Sequence, residues 1–110
     1  MCGIAGYAAI DGARPLDAGP LRDMLRCVAH RGPDDEGAHE APGVVLGHRR
    51  LAIIDVAGGH QPLYGRDDRT AMVCNGEIYN YRELRRELQS AGHRFRTDSD
   101  TEVAAHAYDA

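Results

Sequence analysis

Met1-Cys2-Gly3-Ile4-Ala5-Gly6-Tyr7-Ala8-Ala9-Ile10 opens the chain. Ile4 to Ile10 is short, apolar and interrupted by glycine. It reads as a buried strand, with Asp11-Gly12 as the turn that ends it. Directly before that strand stands a cysteine, one place behind the initiator methionine. Removal of Met1 makes Cys2 the first residue, which then carries both a thiol and a free α-amine. A thiol attacks as its thiolate, and its ordinary pKa is about 8.5. An α-amine, with a pKa of about 7.7–8.0, is partly neutral at cellular pH and serves as a base. Nucleophile and base then share one residue, the logic of N-terminal threonine catalysis. Gly3 offers a place for backbone to approach a substrate closely. The competing reading of Cys2 is a small buried hydrophobe, and Cys2 alone does not decide between them.

Moving outward, Gly19-Pro20 starts a helix whose Leu21, Met24, Leu25 and Val28 share one face, a core stripe. Gly32-Pro33 stops it, with His30 and Arg31 near its C-terminal dipole. Val44–His48 is a second strand, and Leu51–Asp55 its continuation or a bent extension. Ala57–Pro62 is a loop by composition. Thr70–Cys74 is a third strand, ending at Asn75-Gly76. Asn80 caps a helix with the stripe Tyr81, Leu84, Leu88 and Ala91, which Gly92 closes. His93–Arg96 fits a short strand, and the Ser99-x-x-Glu102 box starts a last helix through Val103, Ala104 and Ala107. Strands in clusters mixed with helices predict an α+β fold rather than a regular βαβ array.

The 110 residues suffice for one small domain or part of a larger one. A net charge of −4, from 13 basic and 17 acidic residues, gives no electrostatic footprint for nucleic acid. No apolar run approaches the roughly 20 residues of a membrane span, and no basic-then-apolar leader is present. Three cysteines, Cys2, Cys27 and Cys74, form no disulfide framework and fit a reducing, cytoplasmic setting. Six scattered histidines match no zinc spacing, so no metal is expected.

Amide chemistry at an N-terminal thiol needs oxyanion donors and groups that grip the polar ends of a substrate. Asn75-Gly76 offers a side-chain NH₂ and a backbone N–H, or else an ordinary turn. Arg49-Arg50 offers a guanidinium for a carboxylate, or else a solvated basic pair. Asp98 and Asp100 offer a carboxylate for an ammonium, or else helix capping at Ser99. His30-Arg31-Gly32-Pro33-Asp34 either positions the first strand, acts near the nucleophile, or merely ends a helix.

The co-occurrence of these clusters carries a resemblance. Cys2-Gly3-Ile4-Ala5-Gly6 resembles the start of class II glutamine amidotransferase domains, which are N-terminal-nucleophile hydrolases. His30–Asp34, Arg50–Asp55, Asn75-Gly76-Glu77-Ile78-Tyr79-Asn80 and Ser99–Val103 resemble, in order and rough spacing, the glutamine-hydrolysing asparagine synthetases. Gln61-Pro62-Leu63 also fits a loop of that family, and the resemblance covers nearly the whole chain. It implies a partial αββα sandwich over residues 1–110. It further implies that Cys2 attacks the side-chain amide of glutamine, with its α-amine as proton acceptor and donor. Asn75 and Gly76 would stabilise the oxyanion, Arg50 would bind the substrate carboxylate and Asp100 its ammonium. Leu51, Ile53, Ile54 and Glu77 would line the glutamine pocket.

In that family the glutaminase domain is longer than this chain, and an ATP-dependent synthetase domain follows it. No SGGxDS-type pyrophosphate loop occurs here. The expectation is therefore the N-terminal part of a glutaminase domain with the synthetase domain absent. No cofactor is expected for the glutaminase half, and ATP and magnesium only in the missing domain. The expected partners are glutamine, the missing synthetase domain and, through exposed sheet edges, a second copy of the chain. Besides ammonia supply for asparagine synthesis, two readings stand open. One is the glutaminase part of an amidotransferase that amidates another carboxylate; the other is a catalytically silent remnant.

Overall fold

The computed structural model describes residues 2–53 and 57–110. Among them the elements run β1 (Gly3–Ala8), α1 (Gly19–Cys27), β2 (Asp35–Ala41), β3 (Val44–Arg50), β4 (Leu63–Tyr64), β5 (Ala71–Met72), α2 (Tyr81–Ser90) and α3 (Glu102–Asp109). β3 is the middle strand of an antiparallel sheet ordered β1-β3-β2, and β4 pairs with β5 in a second sheet. Antiparallel sheets with helices give the α+β class that the element order predicts.

The register fixes which residues face the site. β1 pairs with β3 from Gly3↔Arg49 to Ala8↔Val44, and β2 pairs with β3 from Asp35↔Arg50 to Ala41↔Val44. Side chains alternate along each strand. One face therefore carries Ala5, Tyr7 and Val45, and α1 covers it with Leu21 and Leu25 to form the apolar core. Gly47 lies beneath those leucines, where a Cβ would come within 2.8 Å of Leu21 Cδ1. Gly3 lies on the same face, and a Cβ there would come within 2.8 Å of Val28. Gly3 thus seats the end of α1 against the sheet.

The opposite face carries Ile4, Leu46, His48, Arg50 and, by the same alternation, Cys2. Segment 60–74 reaches this face: His39 Nδ1 lies 3.1 Å from Tyr64 Oη, and His48 Nε2 lies 2.9 Å from the Cys74 carbonyl oxygen. α3 packs on β4 and on α2. Its Asp109 accepts the Arg66 amide N–H at 2.7 Å and the Thr70 hydroxyl, which ties α3 to the β4–β5 hairpin.

Several local expectations need correction, and the reasons share a theme. α1 ends at Cys27, not at Gly32, because residues 28–32 continue through i→i−3 bonds such as Arg31 N–H to Val28 O at 3.0 Å. β2, with sequence DEGAHEA, was not expected; it has no apolar periodicity and exists by pairing with β3. The third strand shrinks to Ala71–Met72, since the backbone of Cys74 bonds to side chains instead of to a ladder. His93–Arg96 is not a strand, because the Arg96 and Thr97 amides turn to the Glu102 carboxylate at 2.8 Å each. Neither Asn80 nor Ser99 caps a helix through its side chain, and the N-cap of α3 is Thr101. Leu51–Ile53 is not regular strand, while Ile54 and Asp55 lie outside the described residues. The α2 stop holds as expected. Gly92, at φ 93°, donates to Gln89 O at 3.0 Å, and His93 N–H reaches Leu88 O at 3.0 Å. This is the paired C-terminal bonding that needs a left-handed residue.

Candidate active site

A cleft of about 320 Å³ opens on the α1-free face of the first sheet. Cys2, Arg50, Leu51 and Ile53 line one wall, and Asn75, Gly76, Glu77 and Asp100 line the other. Every described residue expected in the site therefore reaches one cavity. Ile54, also expected there, lies outside the described residues.

The strand wall is positioned by the ladder and by the His30–Asp34 cluster. The Leu51 amide N–H points at Cys2 Sγ at 3.3 Å. Arg31 Nε–H donates to the Cys2 carbonyl at 3.1 Å. Gly32 packs so closely on Arg49 that a Cβ would meet its carbonyl carbon at 2.2 Å, and Arg49 Nε–H donates to Gly32 O at 2.9 Å. Asp34 completes the brace: its amide N–H reaches Arg50 O at 3.0 Å and its Oδ2 accepts the Ala52 N–H at 2.8 Å. The cluster thus braces the end of β3 and, through Arg31, the Cys2 backbone, and it does so from a turn rather than from a helix end. Arg50 is 6 % exposed, so its charge lies in the cleft rather than in bulk water. Arg50 is not a solvated surface cation.

On the loop wall, Asp100 is 6 % exposed and its Oδ2 accepts the Ile78 amide N–H at 2.7 Å. That bond joins the Asn75–Asn80 segment to the start of α3. Asn75, Gly76 and Glu77 are exposed at the cleft edge. Cys74 lines the cleft just before them, and burial, the Asp100 charge and the nearby Cys2 push its thiol up from its ordinary value. All three cysteines are free.

Gln61, Cys74, Tyr79, Ser99 and Thr101 also line the cleft and were not expected there. Gln61 carried a signal, since it precedes a proline in a glycine-rich loop and is a polar residue with no helical or strand pattern of its own. Nothing in the local sequence marks it as 5 % exposed.

Chemically, the cleft combines a thiol, a guanidinium, carboxylates and amide donors. A cation and anions on facing walls match an α-amino acid, whose carboxylate and ammonium carry opposite charges. The volume lies at the low end of small-molecule sites.

Comparison with known proteins agrees with this geometry. The glutamine amidotransferase domain family matches residues 1–110. An asparagine synthetase [glutamine-hydrolyzing] of Bacillus subtilis is 46 % identical over 110 residues, covering 98 % of this chain and 17 % of that relative. A second, from Arabidopsis thaliana, is 46 % identical over 110 residues and covers 99 % of this chain and 18 % of the relative. A third, from Triphysaria versicolor, is 43 % identical over 109 residues with the same coverage. The chain spans under a fifth of the length of the curated relatives it matches. With a thiol and an amino-acid-sized polar cleft in one place, this chain belongs to the glutamine amidotransferase domain family.

Proposed function

We propose that the chain hydrolyses the side-chain amide of glutamine through Cys2, as one layer set of an αββα N-terminal-nucleophile domain. The observation that carries this is the convergence of Cys2, Arg50, Asn75, Gly76 and Asp100 on a single cleft. With Met1 removed, the Cys2 α-amine takes the thiol proton and the thiolate attacks the amide carbon. The C=O electron pair moves onto oxygen, where the Asn75 NH₂ and Gly76 N–H donate to it. Collapse expels ammonia, which takes its third proton from the α-ammonium, and leaves a γ-glutamyl thioester. Water then adds to that thioester, and glutamate leaves with Cys2 free again. Arg50 binds the substrate carboxylate and Asp100 its ammonium; Leu51, Ile53 and Glu77 bound the pocket. In a longer protein of the relatives' kind, the ammonia would serve ATP-dependent asparagine synthesis in the cytoplasm. That step, with its ATP and magnesium, is assigned to none of the residues described.

The test is ammonia and glutamate release by the wild-type chain, by Cys2→Ala and by a chain with an uncleavable N-terminal extension. Turnover confined to the wild type is expected, because the substitution removes the nucleophile and the extension removes the base. Equal turnover in all three would overturn the reading, and turnover in the extended chain equal to the wild type's, with Cys2→Ala silent, would overturn the role of the amine.

A further inference from the structure

We propose that Gln61, together with His48, sets the orientation of the Asn75-Gly76 peptide, which makes Gln61 a positioning residue for oxyanion stabilisation. The proposal rests on the function proposed above, where that peptide supplies the donors.

Gln61 Oε1 accepts the Cys74 amide N–H at 2.7 Å, and Gln61 Nε2–H donates to the Cys74 carbonyl at 3.3 Å. His48 Nε2–H donates to the same carbonyl at 2.9 Å. Both backbone polar groups of Cys74 are therefore taken by side chains from distant parts of the chain. The β4–β5 ladder cannot do this work, because β5 ends at Met72. A planar peptide makes the Cys74 carbonyl and the Asn75 N–H and Cα one rigid unit. Holding that carbonyl fixes where Asn75 begins and limits where its NH₂ and the Gly76 N–H point. Asn75 and Gly76 are exposed, so burial does not hold them.

The clamp has a rigid seat. Gln61 is 5 % exposed and His48 1 %. Gln61 O lies against Gly37 of β2, where a Cβ would come within 1.7 Å of it, so only glycine admits the loop. His48 is in β3, with Gly37 as its β2 partner in the register. The first sheet, which also carries Cys2 and Arg50, thereby sets the position of the opposite wall. The assignment of the Gln61 amide is unambiguous, because Cys74 N–H is a donor only and Cys74 O an acceptor only.

The test uses Gln61→Met, which removes both bonds at similar size, and Gln61→Glu, which keeps the acceptor for Cys74 N–H but sets oxygen against Cys74 O. Amide NMR and glutaminase kinetics are read on each, with His48→Gln as a variant that retains a donor. In Gln61→Met the Gly76 N–H and Asn75 NH₂ resonances should broaden or split. The kcat should fall on the order of 10²-fold, the effect of one misplaced oxyanion donor, with KM within about twofold because Arg50 and Asp100 still grip the ground state. Gln61→Glu and His48→Gln should give smaller losses of the same kind. Unchanged Gly76 and Asn75 signals in a folded Gln61 variant would overturn the proposal, as would a loss that appears in KM instead of kcat. If the wild-type chain releases no ammonia, the function proposed above falls, and the resonances alone still decide the clamp. If Gln61→Met does not fold, Gln61→Glu and His48→Gln carry the same readouts.

Discussion

The two walls of the cleft are held by opposite means. The strand wall, Cys2 to Gly3 and Arg49 to Leu51, rests on a backbone ladder and on an apolar core formed by Leu21, Leu25 and Val45. The loop wall, residues 75–77 and 99–101, rests on side chains that take the place of a ladder. Glu102 is 1 % exposed and accepts the Arg96 N–H, the Thr97 N–H and the Thr97 hydroxyl. Its Oε1 also lies 3.3 Å from His106 Nε2, and His106 Nδ1 lies 3.0 Å from His93 Nδ1. Arg85 donates to Thr97 O at 2.8 Å and Ser99 O at 3.2 Å, with its guanidinium 4.3 Å over the Phe95 ring. Asp100 follows directly from this knot. The lesson is that a wall without regular structure can be as determined as a strand, provided buried polar groups satisfy its backbone.

The largest effect should come from breaking the loop wall at its anchor. Glu102→Ala leaves three donors and a buried histidine without their acceptor. Unsatisfied buried donors cost about 1–3 kcal/mol each and do not add fully, so a loss of about 3–5 kcal/mol is expected. Urea unfolding reads it, and Glu102→Gln, which keeps one amide oxygen, should recover a large part. A loss below about 1 kcal/mol in Glu102→Ala would show that the loop wall is held by something other than this carboxylate.

The strand wall should break more simply. Leu25, 2 % exposed between α1 and the sheet, contributes through burial. Leu25→Ala should cost about 2–4 kcal/mol, within the range for buried leucine truncations. It should leave the Gly76 and Asp100 environments unchanged wherever the chain is folded, since both line the cleft on the opposite face of the sheet. Chemical shifts of the loop wall that move as much as in Glu102→Ala would merge the two walls into one unit and dissolve the contrast.

This division also governs what the sequence discloses. The apolar stripe Leu21, Leu25 and Val28 is periodic and Val44–Leu46 is an unbroken apolar run, so α1 and β3 are legible from local pattern alone. The Gly92 stop of α2 is legible from one residue type. β2 is not, because Asp35, Glu36, His39 and Glu40 alternate nothing with nothing; the Pro42-Gly43 turn before β3 is the signal, with Gly43 at φ 85°. The end of the strand expected over Thr70–Cys74 and the strand expected over His93–Arg96 fail for the loop-wall reason: Gln61, His48 and Glu102 outcompete a ladder for their backbone, and no local pattern reports that Cys74 has partners 13 and 26 residues away. Among site residues, Cys2, Arg50, Asn75, Gly76 and Asp100 stand out by chemistry and by resemblance. Gln61 stands out only within the Gln61-Pro62-Leu63 loop that the resemblance covers, and not by chemistry, since its side chain serves the backbone of another residue. A search for polar residues flanking a proline in the loop before a strand would have raised it, without telling a clamp from a solvated turn.

The smallest effect tests whether the two walls are coupled through His48, which belongs to a strand yet serves a loop. Burial pushes the His48 pKa below its ordinary 6.5, and the charges of Arg50 and His60 push the same way, against the Cys74 carbonyl and Asp35. The folded state therefore holds His48 neutral where the unfolded chain takes up a proton. Below pH 6.5 the unfolded state binds more protons, so stability rises with pH through that window and His48 contributes no slope above it. The difference in unfolding free energy between wild type and His48→Gln should change with pH only beneath about 6.5, the ordinary histidine value. An imidazolium still donates Nε2–H to the Cys74 carbonyl, so acid should weaken the fold before it turns the Asn75-Gly76 peptide. Gly76 signals that shift with pH ahead of any loss of stability would mean that the clamp needs the neutral ring, and that the strand wall reads out the charge of its own histidine.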